Sequence, residues 1–261
     1  MISNKNKERA SQFAKSIESL SYEDAQKAIT IELEDLHSTY KITTVRTVLT
    51  EYRRVLPKYK HLFIISESEQ VKIQRAYTRK IAKQANNQKQ ITNYEQLIKK
   101  AKSLLSSSRV AEVATALALL TGRRISEIFC TAKFAATQDP NTIHFVGQLK
   151  KRDSSTPYKI YTLSEYKEIA PALRWLREQT GKLSTSEANR KHIKACNHVV
   201  YKHYSPFLGN CSTHDLRKAY ATIIAHLYKP KTVTLNAFLS ANLGHEPTDL
   251  STANVYQKYF I

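Results

Sequence analysis

Residues 110–120 constrain the fold more than any other stretch, because alanine, leucine and valine occupy nine of these eleven positions. At helical periodicity such a segment is apolar on nearly all sides, so other elements have to surround it. Thr121 and Gly122 then break the pattern, and glycine forms turns that other residues adopt only with strain. We therefore predict a domain with a central buried helix that ends at a glycine turn.

Most of the remaining chain has helical character. Apolar periodicity and capping signals, such as Ser21 followed by two acidic residues, predict further helices. They cover residues 5–20, 22–36, 41–55, 70–85, 94–105, 123–128, 165–178, 184–204, 212–228, 232–242 and 250–260. Residues 141–149 and 158–163 alternate or cluster β-branched and aromatic residues around a polar turn, which is typical of a β-hairpin. The predicted fold class is α+β, mainly helical.

The formal net charge of +19 predicts a polyanionic partner, and nucleic acid is the class that fits best. Residues 52–103 carry thirteen Lys or Arg against three Glu, and residues 104–261 carry twenty-one against eleven acidic residues, so the excess is not confined to a tail. Two adjacent arginines and a basic stripe at helical spacing are the candidate DNA-binding residues. They are Arg53, Arg54, Lys72, Arg75, Arg79 and Lys83. A solvated helix face explains the stripe equally well.

The polar residues 84–92 are the best candidate for a domain boundary, because their composition is typical of a linker. We predict that residues 1–90 form a helical, basic DNA-binding domain together with this linker. Residues 91–261 then form a second domain, which contains the central helix, the hairpin and the motifs that carry chemistry.

The sequence also excludes several classes of protein. No apolar run approaches the ~20 residues of a membrane-spanning helix, and the N-terminal residues lack the apolar core of a signal peptide. The three cysteines, Cys130, Cys196 and Cys211, are scattered without metal-ligand spacing. We therefore expect reduced thiols in a cytoplasmic, DNA-associated protein that has no metal site and no membrane partner.

Two short motifs lie on either side of the first predicted strand. Arg124 follows the glycine turn at the start of a helix, where a guanidinium can present a fork to phosphate oxygens. Glu127 lies on the same face and can brace a cation. Taken alone, this pair is better explained as a surface ion pair. Lys150 lies at the start of the hairpin turn, where a lysine reaches into a cleft or, more usually, extends into solvent.

A third motif surrounds the start of the helix predicted at residues 212–228. Ser212 and Asp215 resemble a capping box, which fixes where a helix begins. His214 and Arg217 are three residues apart and therefore share one face. This pair suits a phosphate group, although a capped helix with ordinary polar residues explains it comparably well when it is taken in isolation.

The last motif is a Leu-Gly-His turn at His245, followed by Tyr256. Each motif is weak alone, but together and in this order they resemble the tyrosine recombinases, which are related to type IB topoisomerases. Gly-Gln-Leu-Lys at residues 147–150 and Asp-Leu-Arg-Lys-Ala-Tyr-Ala at residues 215–221 are most similar to one branch, the protelomerases or hairpin telomere resolvases. The resemblance covers residues from about 105 to 261.

This resemblance implies a role for each matched residue. Arg124 and Arg217 would clamp the non-bridging oxygens of a scissile phosphate and stabilise the charge that builds in the transition state. His214 and His245 would donate hydrogen bonds or carry the proton of the nucleophile. The phosphotyrosine product would store the energy of the broken bond, so neither a metal nor a nucleotide cofactor would be needed.

Two of the expected catalytic residues have an alternative nearby in the sequence. Lys150 is the expected general acid for the departing 5′-oxygen because it directly follows Gly-Gln-Leu, and Lys151 is the alternative and a candidate DNA contact. Tyr256 is the expected nucleophile because a Ser-Thr pair precedes it at a spacing like that of the family. Tyr259 is the alternative, with packing as its expected role.

Five residues follow Tyr256, and when extended they reach at most roughly 18 Å. Conventional tyrosine recombinases pass a longer segment to a neighbouring protomer, so we expect a homodimer on a palindromic or inverted-repeat double-stranded DNA site. Each subunit would cut one strand and join it to the opposite strand as a hairpin. Two alternatives stay open: a compact integrase that exchanges strands between duplexes, and a DNA-binding relative without catalytic activity.

Overall fold

The computed structural model describes residues 4–149, 156–245, 256 and 258–261. The chain divides into two compact units between Lys80 and Ile81. The division falls inside a continuous helix rather than in the polar tract at residues 84–92. Within the described ranges, no helix combines the length and the apolar character needed to cross a membrane.

The first unit is helical. Its elements are α1 (Asn4–Ser16), α2 (Tyr22–Thr39), α3 (Ile42–Val55), a 3₁₀ turn (Pro57–Tyr59) and α4 (Glu67–Asn86), which extends past the division. The Ser21 hydroxyl accepts a hydrogen bond from the Asp24 N–H (3.1 Å), which confirms the predicted start of α2. Ile29, Leu36 and Leu49 lie in a core of this unit's own, so its apolar faces are buried within the unit.

The second unit contains a larger core and most of the secondary structure. Its elements are β1 (Lys89–Gln90), α5 (Tyr94–Leu104), α6 (Val110–Thr121), α7 (Ile125–Cys130), β2 (Lys133–Ala136), β3 (Thr142–Val146), β4 (Tyr158–Tyr161), α8 (Tyr166–Thr180), α9 (Thr185–Leu208), α10 (Thr213–Tyr228), α11 (Leu235–Leu243) and β5 (Tyr259–Phe260). The predicted class, α+β and mainly helical, is confirmed.

Helix α6 is the central helix that its composition predicts. Every residue from Val113 to Thr121 is buried, and helices α5, α7, α8, α9 and α10 pack around it. The helix ends at Gly122, whose φ of +68° lies in the left-handed region. A Cβ at this position would collide with the Tyr220 ring, so only glycine fits the turn.

Strands β2, β3 and β4 form an antiparallel sheet, in which the β3–β4 pairing confirms the predicted hairpin. Phe145 pairs with Tyr158 and Ile143 pairs with Ile160, so apolar residues of both strands enter the core. Strand β2 was not predicted, because its four residues are mostly exposed and carry no clear alternation.

The predicted helix over residues 250–260 is wrong at its end. Tyr259 and Phe260 form strand β5, which pairs in parallel with Lys89 and Gln90 of β1, and residues 250–255 and 257 lie outside the described ranges. Aromatic residues suit a strand that has a partner, and this partner comes from the tract that was predicted to be a linker. Ile91, at the end of that tract, is buried.

Candidate active site

The start of helix α10 is fixed by the predicted capping box. The Ser212 N–H and hydroxyl each donate to Asp215 Oδ2 at 3.0 Å, and this carboxylate satisfies a backbone donor that the helix leaves unpaired. The cap places His214 and Arg217 in the first turn of the helix. The His214 side chain is exposed, whereas that of Arg217 is 1% exposed.

Arg217 joins three parts of the second unit. Its Nη1 donates to the Gly122 carbonyl (2.5 Å) and its Nη2 donates to the Leu243 carbonyl (2.8 Å). Its Nε donates to the Tyr256 hydroxyl (3.3 Å). The two glycine-containing turns and Tyr256 are therefore held around one buried guanidinium, whose rigid fork fixes their relative positions.

Tyr256 is 5% exposed, and its surroundings favour the phenolate. Burial opposes ionisation, but the charge and hydrogen bond of Arg217, together with Arg124 and Arg123, lower the pKa of Tyr256 below its ordinary value. The His245 ring centroid lies 5.4 Å from that of Tyr256. These surroundings therefore make ionisation of the predicted nucleophile easier than that of an ordinary tyrosine.

Tyr259 has different surroundings. It is buried in strand β5, and burial together with the negative charge of Asp215 raises the pKa of its hydroxyl. Of these two tyrosines, it is Tyr256 whose hydroxyl accepts a hydrogen bond from the Arg217 guanidinium.

Arg124 lies at the N-cap of helix α7, one position before the first turn in which the sequence placed it. Its Nη1 bonds to Glu127 Oε1 at 2.5 Å, and its backbone N–H donates to Glu127 Oε2 at 2.9 Å. Glu127 is completely buried. Burial raises the pKa of a carboxyl, but the charges of Arg123, Arg217 and Arg124 lower that of Glu127 overall.

A cavity of about 170 Å³ opens beside these residues. It is lined by Arg124, Ile125, Ser126, Asn189, Ile193, Thr213, His214 and Arg217. Partial desolvation and the positive charges of Lys218 and Arg217 lower the pKa of His214. We name Arg124, His214, Arg217 and Tyr256 the helix-side cluster.

Three guanidiniums surround one carboxylate here. Arg123, Arg124 and Arg217 all act on Glu127, so positive charge is in excess among the described residues. Burial and the charges of Arg123 and Arg124 accordingly lower the pKa of Arg217. A site with this imbalance attracts an anion, and an arginine fork suits the oxygens of phosphate.

Arg123 is a site residue whose role the sequence did not reveal. Its Nε donates to the Thr121 carbonyl (3.2 Å), its Nη1 to the Tyr158 hydroxyl (2.8 Å) and its Nη2 to the Asn242 carbonyl (2.7 Å). Tyr158 in turn donates to Gln148 Oε1. We name Arg123, Gln148, Tyr158 and Asn242 the sheet-side network. In the sequence, one feature pointed to Arg123, which is that it directly precedes Arg124.

The sheet-side network holds the Leu-Gly-His turn. Gln148 Nε2 donates to the Gly244 carbonyl at 2.6 Å, and Gly244 ends helix α11 with a φ of +69°. A Cβ at Gly244 would collide with the side chains of Gln148 and Tyr158. The turn therefore requires glycine, and its geometry delivers His245 to the Tyr256 ring.

The remaining predicted residues lie elsewhere or cannot be placed. Lys150 and Lys151 lie outside the described residues. Arg53 is exposed on α3, where its Nε donates to the Leu49 carbonyl, and Arg54 pairs with Glu51 at 2.6 Å. The basic stripe on α4 is exposed along its length. Its members are Lys72, Arg75, Arg79 and Lys83. No described residues group three His, Cys, Asp or Glu side chains as a metal site would.

The family model described as "Telomere resolvase ResT/TelK catalytic domain" matches residues 87–259. The chain belongs to this family. The resemblance to the protelomerases is thereby confirmed. A curated relative, the protelomerase of Escherichia phage N15, is 30% identical over 178 residues. That match covers 60% of this chain and 28% of the relative, so the chain spans little more than a quarter of the relative's length.

Solved structures share the fold of this telomere resolvase family member. Protelomerase TelA covalently complexed with substrate DNA gives a TM-score of 0.89 at 22% identity, covering 99% of this chain and 89% of that one. An arginine mutant of TelA complexed with DNA hairpin product gives 0.87 at 22% identity, covering 96% and 86%. Protelomerase TelK complexed with substrate DNA gives 0.63 at 20% identity, covering 97% and 57%.

Proposed function

We propose that the chain is a telomere resolvase that cleaves inverted-repeat double-stranded DNA and rejoins the strands as covalently closed hairpins. The observation that carries this proposal is the contact of the Tyr256 hydroxyl with Arg217 Nε at 3.3 Å, beside a cavity with excess positive charge. A tyrosine in such a site is prepared to attack a phosphodiester. Membership of the telomere resolvase family supports the same reaction.

Arg124 and Arg217 are the proposed ligands of the scissile phosphate. Both line the cavity, and both approach it from elements that packing and capping hold rigid. Donors fixed in advance stabilise the charge of the transition state without reorganisation during the reaction. Glu127 keeps Arg124 in place through its two hydrogen bonds.

The two histidines are proposed to handle the proton of Tyr256 or to donate hydrogen bonds to the phosphate. Desolvation and the positive charges of Lys218 and Arg217 lower the pKa of His214, which favours the neutral imidazole, the form that can accept a proton. His245 lies against the Tyr256 ring. Attack by the phenolate oxygen on phosphorus breaks the bond to the 5′-oxygen and leaves a 3′-phosphotyrosine.

Lys150 is the proposed acid that protonates the departing 5′-oxygen. The Leu149 N–H donates to Glu127 Oε1 at 3.3 Å, so the residue before Lys150 is attached to the carboxylate that braces Arg124. This contact supports a lysine beside the cluster, and Lys151 is the alternative acid. Neither a metal nor a nucleotide takes part, because the phosphotyrosine conserves the bond energy.

We further propose a homodimer on its DNA site, in the cytoplasm of a prokaryotic cell or of a phage-infected host. A palindrome presents the same half-site to each subunit. Residues 1–90 would contact DNA through Arg53, Arg54 and the basic stripe on α4, whose side chains are exposed. Residues 91–261 would carry the chemistry.

The experiment incubates the protein with a labelled inverted-repeat duplex and analyses the products on a denaturing gel. Covalently closed, snap-back strands are expected. Tyr256→Phe is expected to abolish the covalent protein–DNA adduct and to bind DNA within about twofold of the natural affinity, because it removes only the nucleophilic oxygen. Tyr259→Phe is the matched control and should still form the adduct. Exchange between two duplexes, or no adduct on any site, would overturn the proposal.

A further inference from the structure

The segment after Tyr256 is attached to helix α10 by an ion pair. Lys258 Nζ lies 2.9 Å from Asp215 Oδ1, and the side chains of Lys258 and Asp215 are 19% and 12% exposed. A partly buried charge-assisted hydrogen bond is stronger than one on the surface, where solvent and salt screen it. The Lys258 N–H also donates to the Tyr256 carbonyl at 2.9 Å.

Asp215 uses its two oxygens for different tasks. Oδ2 accepts the capping hydrogen bonds from Ser212, and Oδ1 faces Lys258 and, at 3.4 Å, Lys218. The same residue lies in the first turn of α10 between His214 and Arg217. The carboxylate of Asp215 thus caps helix α10, which carries His214 and Arg217. The same carboxylate also pairs with Lys258, two residues after Tyr256.

Backbone hydrogen bonds hold the rest of this segment. The Lys89 N–H donates to the Lys258 carbonyl (3.0 Å), and the Ile91 N–H donates to the Phe260 carbonyl (2.8 Å). Thr222 Oγ1, on α10, donates to the Tyr259 carbonyl at 3.3 Å. Pairing between β1 and β5 fixes the direction of the segment, but the ion pair is its side-chain link to the first turn of α10.

We propose that Lys258 is a positioning residue, which aligns the Tyr256 hydroxyl with Arg217 through its ion pair with Asp215. The proposal rests on the proposed function, because alignment matters only if Tyr256 attacks DNA. Lys258 is two residues from the nucleophile, and Asp215 is two residues from Arg217. A misplacement of ~1 Å at a reacting group can slow a reaction by about 10²-fold.

The first test replaces Lys258 by methionine, which keeps the aliphatic stem and removes the charge. Single-turnover formation of the adduct should slow at least about tenfold, because charge-assisted hydrogen bonds contribute that much to an equilibrium. DNA affinity should change by no more than about twofold. Lys258→Arg should restore most of the rate. An unchanged rate in Lys258→Met would overturn the proposal.

The pH profile separates positioning from a general loss of structure. Among the described residues, the charged and titratable groups around Tyr256 include Arg217, Arg124, Arg123 and His245. If the phenol moves away from Arg217, the pH at half-maximal cleavage rate should rise in Lys258→Met. A slower rate with an unshifted profile would show that the ion pair does not align the hydroxyl.

A matched control and a double-mutant cycle identify the partner. Lys218 faces the same carboxylate from within α10, so Lys218→Met removes an equal charge without releasing the segment and should slow cleavage much less. An equal loss in both variants would assign the effect to charge alone. Asp215→Asn should slow the reaction at least as much as Lys258→Met, because it also weakens the cap of α10, and the double variant should be no slower than Asp215→Asn alone, because the two residues act as one pair. Additive losses would contradict the pair.

A measurement without DNA separates this proposal from the proposed function. In Lys258→Met, hydrogen exchange at the Lys89 and Ile91 amides should accelerate at least about tenfold, because these amides bond to the attached segment. If the natural protein forms no adduct, the proposed function fails by itself. If the amides keep their protection in the variant, the role of Lys258 in holding the segment fails.

Discussion

Arg123 and Arg217 are both completely buried, and each donates to two backbone carbonyls and one tyrosine hydroxyl. Their carbonyl partners are even adjacent in sequence, at residues 121 and 242 for Arg123 and at residues 122 and 243 for Arg217. The two arginines therefore hold the same two turns together.

The tyrosines that they contact differ in what surrounds them. Tyr158 accepts a hydrogen bond from Arg123 and donates its own hydroxyl hydrogen to Gln148, so both of these partners belong to the sheet-side network. Arg123 also stacks on the Phe145 ring, at 4.6 Å from its centroid. Tyr256 instead meets a site with excess positive charge, and its pKa falls. The same pattern of contacts therefore occurs in different electrostatic surroundings at the two tyrosines.

The electrostatic surroundings of the two arginines show the same contrast. Burial opposes the charge of Arg123, but Tyr158, Glu127 and Tyr220 raise its pKa overall. Burial and neighbouring arginines lower the pKa of Arg217. The two arginines thus share a pattern of hydrogen bonds but differ in the balance of charge around them.

Matched lysine substitutions should break this symmetry. Arg217→Lys should slow adduct formation about 10²–10³-fold, because the bidentate fork proposed to hold the reacting phosphate is lost, whereas Arg123→Lys should change the rate less than about tenfold. Both variants should lower the free energy of unfolding by about 1–3 kcal/mol, because each removes donors from two buried carbonyls. Single-turnover kinetics and thermal unfolding of both variants measure the difference. Equal rate losses at equal stability would erase it.

Gly244→Ala tests the sheet-side network directly. The left-handed backbone costs an alanine about 1–2 kcal/mol, and the collision with Gln148 and Tyr158 adds to this cost. Denaturant unfolding should therefore show a loss for Gly244→Ala that is larger than this backbone cost alone. A loss of only about 1–2 kcal/mol would mean that the network tolerates the added methyl group.

Glu127→Gln tests the charge balance around Arg123 and Arg217, because both arginines act on this carboxylate. The lowered pKa of Glu127 means that its carboxylate stabilises the folded state above its unfolded pKa, near 4.5. That stabilisation is lost as the pH falls through the lower, folded pKa. The unfolding free energy of the variant should therefore lie below that of the natural protein at pH 7, by about 1–3 kcal/mol, and the two should converge in acid. Parallel curves would contradict this assignment.

The smallest effects are expected for the basic stripe on α4. Each neutralisation in the basic stripe, such as Arg75→Gln or Arg79→Gln, should reduce the slope of log affinity against log salt by about 0.9 if that residue contacts a phosphate. Lys27→Gln is the control, because Lys27 already pairs with Asp24 on α2. Cleavage of saturated DNA should stay unchanged. An unaltered salt slope would show that the stripe is only a solvated face.

Local signals predicted the parts of the site that are local. The capping box at Ser212, the glycine turn at Gly122 and the hairpin each depend on neighbours in sequence, and the structure confirms them. Spacing also indicated Arg124 with Glu127, which the structure joins. These features follow from propensities and short-range hydrogen bonds, which a sequence displays directly.

The contacts between residues far apart in sequence were not predicted. No residue near Arg123 in the sequence indicates its hydrogen bonds to Tyr158 and Asn242, and none near Lys258 indicates its ion pair with Asp215. Strand β5 was mistaken for the end of a helix because aromatic residues three apart fit a helical face, and its partner strand lies far away in sequence. Tertiary contacts overrode local preference at each of these places.

The pairing of β1 with β5 has a consequence for how the molecule forms. Its partners, Lys89 and Tyr259, are about 170 residues apart, and contacts of such sequence separation form slowly because the intervening loop has to close first. Helices such as α6 and α10 can form before that closure. In a refolding experiment, helical circular dichroism should therefore return before cleavage activity, because Tyr256 reaches Arg217 only after the two ends of the unit have met.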